Sequence, residues 1–310
     1  MFNLLEFVRG NSIFKQFKVN DLLFLEYKCV ADQAAVKVWS KYNYFLYVVR
    51  GKKMWQSSLA KYCVQEGEAI FVKKGANIIH QFFEEGFCSL MIFVPDDFIS
   101  NVIKENSASI PKWKAESTDT VSYLNLDEVL SAYFPSVLSY FAKVEPPPGN
   151  LLEIKFKELI LDLFLSPNNK PLCSYFKSLC DGSKSSIREV MQSNFTYNLK
   201  LEEFAYLSGR SITSFKKDFI NTFNCTPGKW LLKRRLEHAK YLLELTDKNI
   251  NELVFETGFE NASHFIRVFK QAYGLTPLQF KKSSMGNTKP TYSHPPLKKS
   301  PITGGKSQGD

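Results

Sequence analysis

Residues 201–219 read LEEFAYLSGRSITSFKKDF, and residues 250–269 read INELVFETGFENASHFIRVF. The second stretch repeats the pattern of the first, at an offset of 49 residues up to the glycines Gly209 and Gly258 and of 50 residues beyond them. The slip of one residue falls inside a turn, where an insertion costs little. The repeat predicts two copies of one helix–turn–helix unit, which is typical of domains that bind duplex DNA.

Each copy is predicted to present one face of its second helix to a ligand. Ser211 and Asn261 can cap these helices, because their side-chain oxygens accept hydrogen bonds from the first turn. Apolar residues at helical spacing would bury one face of each helix, and a recognition helix reads bases through its first turns. The candidate DNA-contacting residues on the opposite faces are Thr213, Lys216 and Lys217 in the first copy and Ala262, Ser263, Ile266, Arg267 and Lys270 in the second.

The chemistry of these side chains indicates different roles. Arg267 can donate to both O6 and N7 of guanine, and Ile266 can contact a thymine methyl group. Lys216 and Lys217 can reach bases or phosphates. For every cation the alternative is a solvated charge on a helix surface, and the sequence leaves both interpretations open.

Between the two copies, residues 227–245 are predicted to form one continuous helix with leucines along its apolar side. At a rise of about 1.5 Å per residue this helix is about 28 Å long, close to the roughly 34 Å of one turn of B-DNA. It would therefore hold the two copies near the spacing of successive major grooves. Its run Lys233-Arg234-Arg235 either contacts phosphates or forms ion pairs on the helix surface.

Charge is distributed unevenly along the 310 residues. Residues 1–183 contain 20 Lys and Arg against 20 Asp and Glu, whereas residues 184–310 contain 20 against 11 and carry the whole net charge of +9. A positive domain joined to a neutral one indicates that only the positive domain binds a polyanion. The alternative is a solvated lysine-rich surface, which would have the same excess of positive charge.

The cysteines and the first residues bear on the cellular compartment. The six cysteines are scattered and form no Cys-x-x-Cys pair, which is typical of reduced thiols in a cytosolic protein. The start of the chain lacks the basic segment and apolar run of a signal peptide. No stretch reaches the roughly 18 apolar residues of a membrane span. We expect a cytoplasmic protein with no membrane partner.

Residues 22–94 show an apolar period near two and are interrupted by glycine turns, which predicts β-strands. Many short antiparallel strands at this spacing indicate a small barrel or a jelly roll. The predicted strands are Leu22–Lys28, Tyr42–Val49, Met54–Ser57, Ala69–Val72, Ile78–Phe83 and Ser89–Val94.

Helical patterning follows the strands. Residues 151–165 form the clearest amphipathic helix of this region, and Ile154, Leu161 and Leu165 belong to an apolar stripe that is too wide to be left in water. The polar residues 181–186 resemble an interdomain linker. The residues after 283 are rich in Lys, Pro, Ser and Gly, and we expect them to be disordered.

The stretch Gly258–Lys270, GFENASHFIRVFK, together with Tyr273-Gly274-Leu275-Thr276-Pro277, resembles the signature of the AraC/XylS family of bacterial transcription regulators, and the first copy agrees with it. The linking-helix pattern RLxxAxxLL, residues 235–243, agrees with that family as well, and the resemblance extends from residue 186 to about residue 282. Two positions depart from the family pattern. Val254 stands where alanine is usual and Asn224 where glycine is common, so we expect slightly shifted packing there.

The resemblance implies a multidomain α+β protein with four regions. Residues 1–118 would form a cupin-like sensor or interaction domain built as a β-barrel or jelly roll, and residues 119–183 a helical dimerisation region and linker. Residues 184–283 would form an all-α DNA-binding domain with two helix–turn–helix motifs, and residues 284–310 a basic tail.

Partners also follow from the resemblance. It implies double-stranded DNA, RNA polymerase, and a second copy of the chain held through Ile154, Leu161 and Leu165. The amino-terminal domain would be regulated by binding a small effector or a regulatory protein. The arrangement loosely resembles family members that activate type III secretion genes and respond to partner proteins.

The amino-terminal half is poorly equipped to bind a metal. Residues 67–75, GEAIFVKKG, are similar to the second cupin motif, with Lys73 in place of its usual proline. Metal cupins also need a His-x-His pair and a further His or Glu, but His80 is the one histidine of this half. We expect no metal and no other cofactor. Phe45, Tyr47 and Trp55 are interpreted as core residues rather than as the lining of an effector pocket.

The sequence predicts a sequence-specific transcriptional regulator, an activator, whose amino-terminal domain controls DNA binding or dimerisation. One alternative is a cupin-type metal-dependent enzyme fused to a DNA-binding domain, and the missing histidine pair argues against it. The other is a non-specific DNA-packaging protein. Two recognition faces with different residues argue against DNA packaging, and the operator and the effector stay open.

Overall fold

The computed structural model describes residues 2–9, 11–28, 35–57, 60–82, 86–111, 119–181, 185–284 and 297–298. The chain forms two compact units. The amino-terminal unit comprises residues 1–183 together with the segment that starts at residue 297, and the carboxyl-terminal unit comprises residues 184–296. The first unit contains two β-sheets and flanking helices, whereas the second contains helices.

The strands of the amino-terminal unit form two six-stranded sheets. They are β1 (Phe2–Asn3), β2 (Lys15–Val19), β3 (Leu22–Lys28), β4 (Ala35–Ser40), β5 (Asn43–Arg50), β6 (Lys52–Gln56), β7 (Lys61–Gln65), β8 (Ala69–Val72), β9 (Gly75–Gln81), β10 (Cys88–Val94), β11 (Val121–Tyr123) and β12 (Leu297–Lys298). Sheet A has the order β1-β4-β9-β6-β7-β12, and sheet B has the order β11-β8-β5-β10-β3-β2. The pairs at the two ends of sheet A, β1 with β4 and β7 with β12, are parallel.

Sheet B is buried on both faces, which explains the continuous apolar runs in its strands. In β10, Met91 and Phe93 belong to a core that they share with Trp55 and Tyr62 of sheet A. The alternate residue Ile92 belongs to a second core, formed with helices on the other face. The unit is therefore layered as sheet A, sheet B and helices, because successive side chains of a strand point to opposite faces.

Four helices cover the outer face of sheet B, namely α2 (Asp96–Glu105), α3 (Glu128–Phe141), α4 (Gly149–Leu165) and α5 (Lys170–Cys180), with a 3-10 turn at Pro167–Asn169 before α5. Helix α1 (Leu4–Arg9) instead contributes Leu4, Leu5 and Val8 to the core between the two sheets. Asp127 begins α3, since its carboxylate accepts a hydrogen bond from the Leu130 amide at 3.0 Å. Phe156, Leu159 and Ile160 of α4 are fully buried in the core against sheet B.

All six predicted strands are present, with ends within three residues of those expected, although Phe83 lies outside the described residues. The prediction missed β1, β2, β4, β7, β11 and β12, none of which contains a long apolar run. A closed barrel is wrong for the described strands. They form two separate sheets with open edges, because no hydrogen-bonded pair joins sheet A to sheet B.

The carboxyl-terminal unit consists of helices in its described residues. They are α6 (Ile187–Asn194), α7 (Leu201–Leu207), α8 (Ile212–Phe223), α9 (Pro227–Leu245), α10 (Ile250–Thr257), α11 (Ala262–Tyr273) and α12 (Pro277–Ser284). The linking helix α9 has the bounds that the sequence predicts. Gly209 and Gly258 have φ of 65° and 83°, so each turns the chain between the two helices of its copy. Asn224 ends α8 with φ of 53°, a left-handed conformation that asparagine tolerates.

Three sequence predictions meet the limits of the described residues. Of the linker predicted at residues 181–186, residues 182–184 lie outside them. The tail predicted to be disordered contains strand β12, and its other residues after 284 lie outside them. Within the described part of the chain, no helix combines the length and the apolar character needed to cross a bilayer.

Candidate nucleic-acid interface

Helix α8 presents the first set of predicted contact residues. Ser211 caps the helix, because its hydroxyl accepts a hydrogen bond from the Ser214 amide at 3.3 Å. Phe215 and Phe219 are fully buried on the inner face. All three predicted residues, Thr213, Lys216 and Lys217, are exposed on the outer face.

Helix α11 presents the second set. Asn261 caps it, since its side-chain oxygen accepts a hydrogen bond from the His264 amide at 2.8 Å. Phe265, Val268 and Phe269 are buried in a core that α11 shares with α9 and α10. Four of the five predicted residues are exposed, namely Ser263, Ile266, Arg267 and Lys270.

Ala262 does not belong to the exposed face. It is half-buried and packs against the core of the second copy. At the offset of 50 residues it corresponds to Ile212, which is also half-buried as the first residue of its helix. Successive residues of a helix are rotated by about 100° about its axis. Ala262 is therefore turned away from the outer face and packs against the core.

The same offset reveals an exposed residue that the sequence reading missed. Ile220 corresponds to Lys270 and is 47% exposed on the outer face of α8, one turn beyond Lys216 and Lys217. The offset alone was sufficient to find this position. Its residue type points the other way, because isoleucine is more often buried in the core than exposed.

Charge pairing distinguishes the outer faces of α8 and α11 from the surface of α9. Within the described residues, no ion pair involves the four cations of these faces, Lys216, Lys217, Arg267 and Lys270. On α9, Lys233 and Arg234 both pair with Glu237, at 3.9 Å and 2.7 Å. These four cations of the two outer faces are therefore unneutralised within the described residues, so an incoming polyanion can pair with them.

Arg235, the third cation of the α9 run, points into the unit. Its Nε donates to the carbonyl oxygen of Phe195 at 2.7 Å, and its Nη2 donates to that of Tyr197 at 2.8 Å. Loss of solvation on burial lowers the pKa of Arg235 to about 10. The guanidinium thus binds the segment between α6 and α7. Arg235 therefore neither contacts phosphates nor forms an ion pair on the helix surface, which were the two interpretations of this run.

The apolar stripe predicted on α4 is divided between core and solvent. Ile154 and Leu165 are 57% and 70% exposed, whereas Leu161 is half-buried and packs against the core. These three residues lie at i, i+7 and i+11, which places them along one side of the helix. The amino-terminal unit thus keeps part of an apolar stripe on its surface.

The interior of the amino-terminal unit is filled by aromatic side chains. Phe45 and Trp55 are buried, and the Trp55 indole Nε1 donates to the hydroxyl of Tyr44 at 3.1 Å. Tyr47 stacks on Phe134 with ring centroids 4.8 Å apart. All three candidates from the sequence therefore belong to the packing of sheet B with its neighbouring layers.

His80 lies in sheet A without a ligand-rich neighbourhood. Its Nε2 is 2.7 Å from Oε1 of Gln56, within hydrogen-bonding distance. Among the described residues no group of three or more His, Cys, Asp and Glu side chains is arranged to hold a metal ion. The chemistry at His80 is that of a hydrogen-bonded side chain on a strand.

Two family models match the chain over two separate regions. An ExsA N-terminal regulatory domain matches residues 43–175, and a helix-turn-helix domain matches residues 205–283, which contains both α8 and α11. The chain belongs to the AraC/XylS family of transcriptional regulators. The second match coincides with the repeat that defines the two exposed helix faces.

Two relatives from this family span most of the chain. The virulence regulon transcriptional activator VirF of Yersinia enterocolitica is 24% identical over 246 residues, which cover 78% of this chain and 90% of VirF. The HTH-type transcriptional regulator ExsA of Pseudomonas aeruginosa is 22% identical over 234 residues, covering 74% of this chain and 82% of ExsA. A crystal structure of apo ToxT from Vibrio cholerae covers 85% of this chain and 97% of ToxT, with 13% identity and a TM-score of 0.40.

Proposed function

We propose that this AraC/XylS regulator activates transcription by inserting α8 and α11 into successive major grooves of one DNA site. The observation that carries this proposal is the pair of matching outer faces, each with exposed cations that lack a carboxylate partner within the described residues. Each helix pair, α7 with α8 and α10 with α11, acts as a helix–turn–helix motif. The names of VirF and ExsA, an activator and a regulator of transcription, support the same reading.

Helix α9 sets the distance between the two motifs. Its 19 residues give a length of about 28 Å at a rise of 1.5 Å per residue. Half-sites read from one side of B-DNA are roughly 34 Å apart. A rigid connection of this length favours simultaneous entry of both helices, and the second helix then binds without a further loss of translational freedom.

The two faces read different bases. Arg267 donates to O6 and N7 of guanine, and Ile266 contacts a thymine methyl group. Lys216 and Lys217 contact bases or phosphates in the other groove, with Thr213 and Ser263 at the starts of their helices. Lys270 lies one turn further along α11 and contacts the phosphate backbone.

Non-specific DNA packaging is the weaker candidate. Packaging proteins bind through phosphates and DNA deformability with few base contacts. Here the second face carries an isoleucine and an arginine at the positions where the first carries two lysines, so the two half-sites differ in sequence. An enzymatic function is not supported, because the family consists of DNA-binding regulators.

The amino-terminal unit is the regulatory part of the molecule. Its two stacked sheets support a cupin-like or jelly-roll domain, and the exposed Ile154 and Leu165 with the half-buried Leu161 support a homodimer through α4. A regulatory protein or a small effector controls dimerisation or DNA binding through this unit. The dimer acts in the cytoplasm together with RNA polymerase.

Selection of bound sites from random DNA with the full chain tests the proposal. We expect each bound copy of the chain to select two unlike half-sites about ten base pairs apart, and we expect a binding constant that falls steeply with salt because phosphate contacts release counterions. Arg267→Ala is the test variant, and Lys233→Ala, which removes a cation paired with Glu237, is its control. Recovery of no preferred sequence, or binding that does not respond to salt, contradicts the proposal.

A further inference from the structure

An open pocket of about 410 Å³ lies between the start of α6 and the second half of α8. Its lining includes Arg188 of α6, Arg210 of the turn before α8, and Asp218 and Asn221 of α8. All four residues belong to the carboxyl-terminal unit. None of them is among the candidate DNA-contacting residues of α8 and α11, so the pocket is a separate feature of this unit.

The two arginines of the pocket differ in their pairing. Nε of Arg210 donates to Oδ2 of Asp218 at 3.0 Å, and Nη1 donates to two backbone carbonyl oxygens, at 2.8 Å and 2.6 Å. Arg188 is exposed and has no carboxylate partner within the described residues, and its guanidinium lies 5.1 Å from the centre of the Phe223 ring. Because Asp218 neutralises Arg210, the pocket keeps one uncompensated positive charge, that of Arg188.

Several hydrogen-bond donors of the pocket have no acceptor within the described residues. They are the guanidinium nitrogens of Arg188, Nη2 of Arg210 and Nδ2 of Asn221. The first amides of α6 add to them, because the side chain of its N-cap residue, Ser186, makes no capping hydrogen bond. Phosphate oxygens accept such hydrogen bonds, and a guanidinium matches their geometry. The pocket therefore suits a phosphate group.

The pocket adjoins the outer face of α8. Asn221 follows Lys217 by four residues, so it is rotated from Lys217 by about 40° around the helix axis. A helix with its side chains is about 10–12 Å across, and the major groove of B-DNA is about 12 Å wide. A helix inserted with Lys217 toward the bases therefore brings its Asn221 side, and with it the pocket, against one phosphate wall of the groove.

The second copy does not repeat the lining of the pocket. At the offset of 50 residues, Arg210 corresponds to Glu260 and Asp218 corresponds to Val268. Val268 is buried in the core of the second copy. A carboxylate in place of the arginine would repel a phosphate, so the polar pocket is a property of the first copy and not of the repeated helix pair.

We propose that this pocket binds a backbone phosphate of DNA beside the half-site that α8 reads, with Arg188 as its uncompensated cation. The inference rests on the proposed function and extends the DNA interface to α6, which belongs to neither helix–turn–helix motif. Phosphate contacts position a protein on the duplex and carry no base preference of their own. Arg188 therefore fixes how α8 lies in its groove without determining which bases α8 reads.

Duplexes that contain the selected site and one uncharged methylphosphonate at a time test the pocket in the full chain. The native chain should lose affinity at one phosphate beside the half-site of α8. Arg188→Gln should bind the unmodified duplex about tenfold more weakly, since a hydrogen-bonded charge is lost, and should lose nothing further at that methylphosphonate. Its slope of log affinity against log salt should be shallower by about one, with an unchanged base preference.

Lys233→Ala is the control, because it also removes one positive charge from this unit, where Lys233 pairs with Glu237. It should keep the native salt slope and the native loss at that methylphosphonate. Circular dichroism verifies that Arg188→Gln, a change at an exposed residue, is folded.

Two results would overturn the inference and leave the proposed function intact. One is a folded Arg188→Gln chain with native affinity and salt slope. The other is a loss in Arg188→Gln that adds to the loss at every methylphosphonate, because then no phosphate depends on Arg188. A native chain that selects no DNA site would instead overturn the inference and the proposed function together.

Discussion

Arg235 and Gly258 lie against each other in the carboxyl-terminal unit. A Cβ added to Gly258 would be 3.1 Å from Nε of Arg235 and 2.6 Å from the carbonyl oxygen of Thr196. The same Nε donates to the carbonyl oxygen of Phe195. The segment before α7 is thus held against the turn of the second copy, so the two repeated halves are joined here as well as through α9.

Gly258→Ala should destabilise the protein by about 3 kcal/mol. The φ of 83° places alanine in a strained left-handed conformation, and the added methyl group collides with the carbonyl of Thr196. Gly274→Ala is the matched control, because its φ is 77° but nothing lies within 4 Å of the added Cβ. We expect Gly274→Ala to lower the free energy of unfolding by about 1 kcal/mol, and urea unfolding measures the loss in both variants. Equal losses in the two variants would show that the contact with Thr196 and Arg235 is unimportant.

Acidification should destabilise the carboxyl-terminal unit through His238. Burial lowers the pKa of His238 below its ordinary value of 6.5, against an opposing effect of Glu256 and with smaller contributions from Lys248 and Arg234. As the pH falls below 6.5, the unfolded chain takes up a proton that the folded chain resists, so stability is lost.

His238→Gln should therefore lose less stability than the native chain between about pH 7 and pH 5. The measurement is the urea midpoint of unfolding at each pH. His264→Gln, at an exposed site, is the control and should follow the native chain. A variant at His238 with an unchanged pH profile would exclude this histidine as the source of acid sensitivity.

Arg267→Ala should reduce DNA affinity by about 1–3 kcal/mol and relax the preference at one base position. Competition binding against a set of single-base variants of the selected site measures both effects. Lys233→Ala should leave the preference intact. A uniform loss of affinity across the set would reassign Arg267 from base reading to a phosphate contact.

Ile154→Glu should weaken self-association while the protein stays folded. Ile154 is 57% exposed, so the charge meets water in the monomer and an apolar partner in a dimer. Val129→Glu, at a 59% exposed residue of α3, is the matched control. Sedimentation together with circular dichroism separates dissociation from unfolding. Dimers of normal strength in a folded Ile154→Glu protein would remove α4 from the proposed interface.

The candidate DNA-contacting residues could be predicted from the sequence where helical periodicity and helix capping decide which way a residue faces. The offset between the copies placed Phe215 and Phe265 on inner faces and Lys217 and Arg267 on outer ones, because the helical period fixes the face of each residue once the caps are known. The same rules failed at Ala262 and Arg235. Whether a residue at the margin of a helix face is covered depends on which neighbouring element lies there, and the helix pattern does not contain that information.

By itself the sequence determined the repeat, the linking helix, six of the described strands and the family. Each of these is encoded in local spacing or in a contiguous motif. Tertiary structure decided that sheet B is covered on both faces, that the stripe on α4 divides between Leu161 and the exposed Ile154 and Leu165, and that Arg235 turns inward. It also paired β12 with β7 across more than 230 residues of chain. These features depend on contacts between segments that are distant in sequence. Such contacts form through the packing of the whole unit, and no local pattern encodes them.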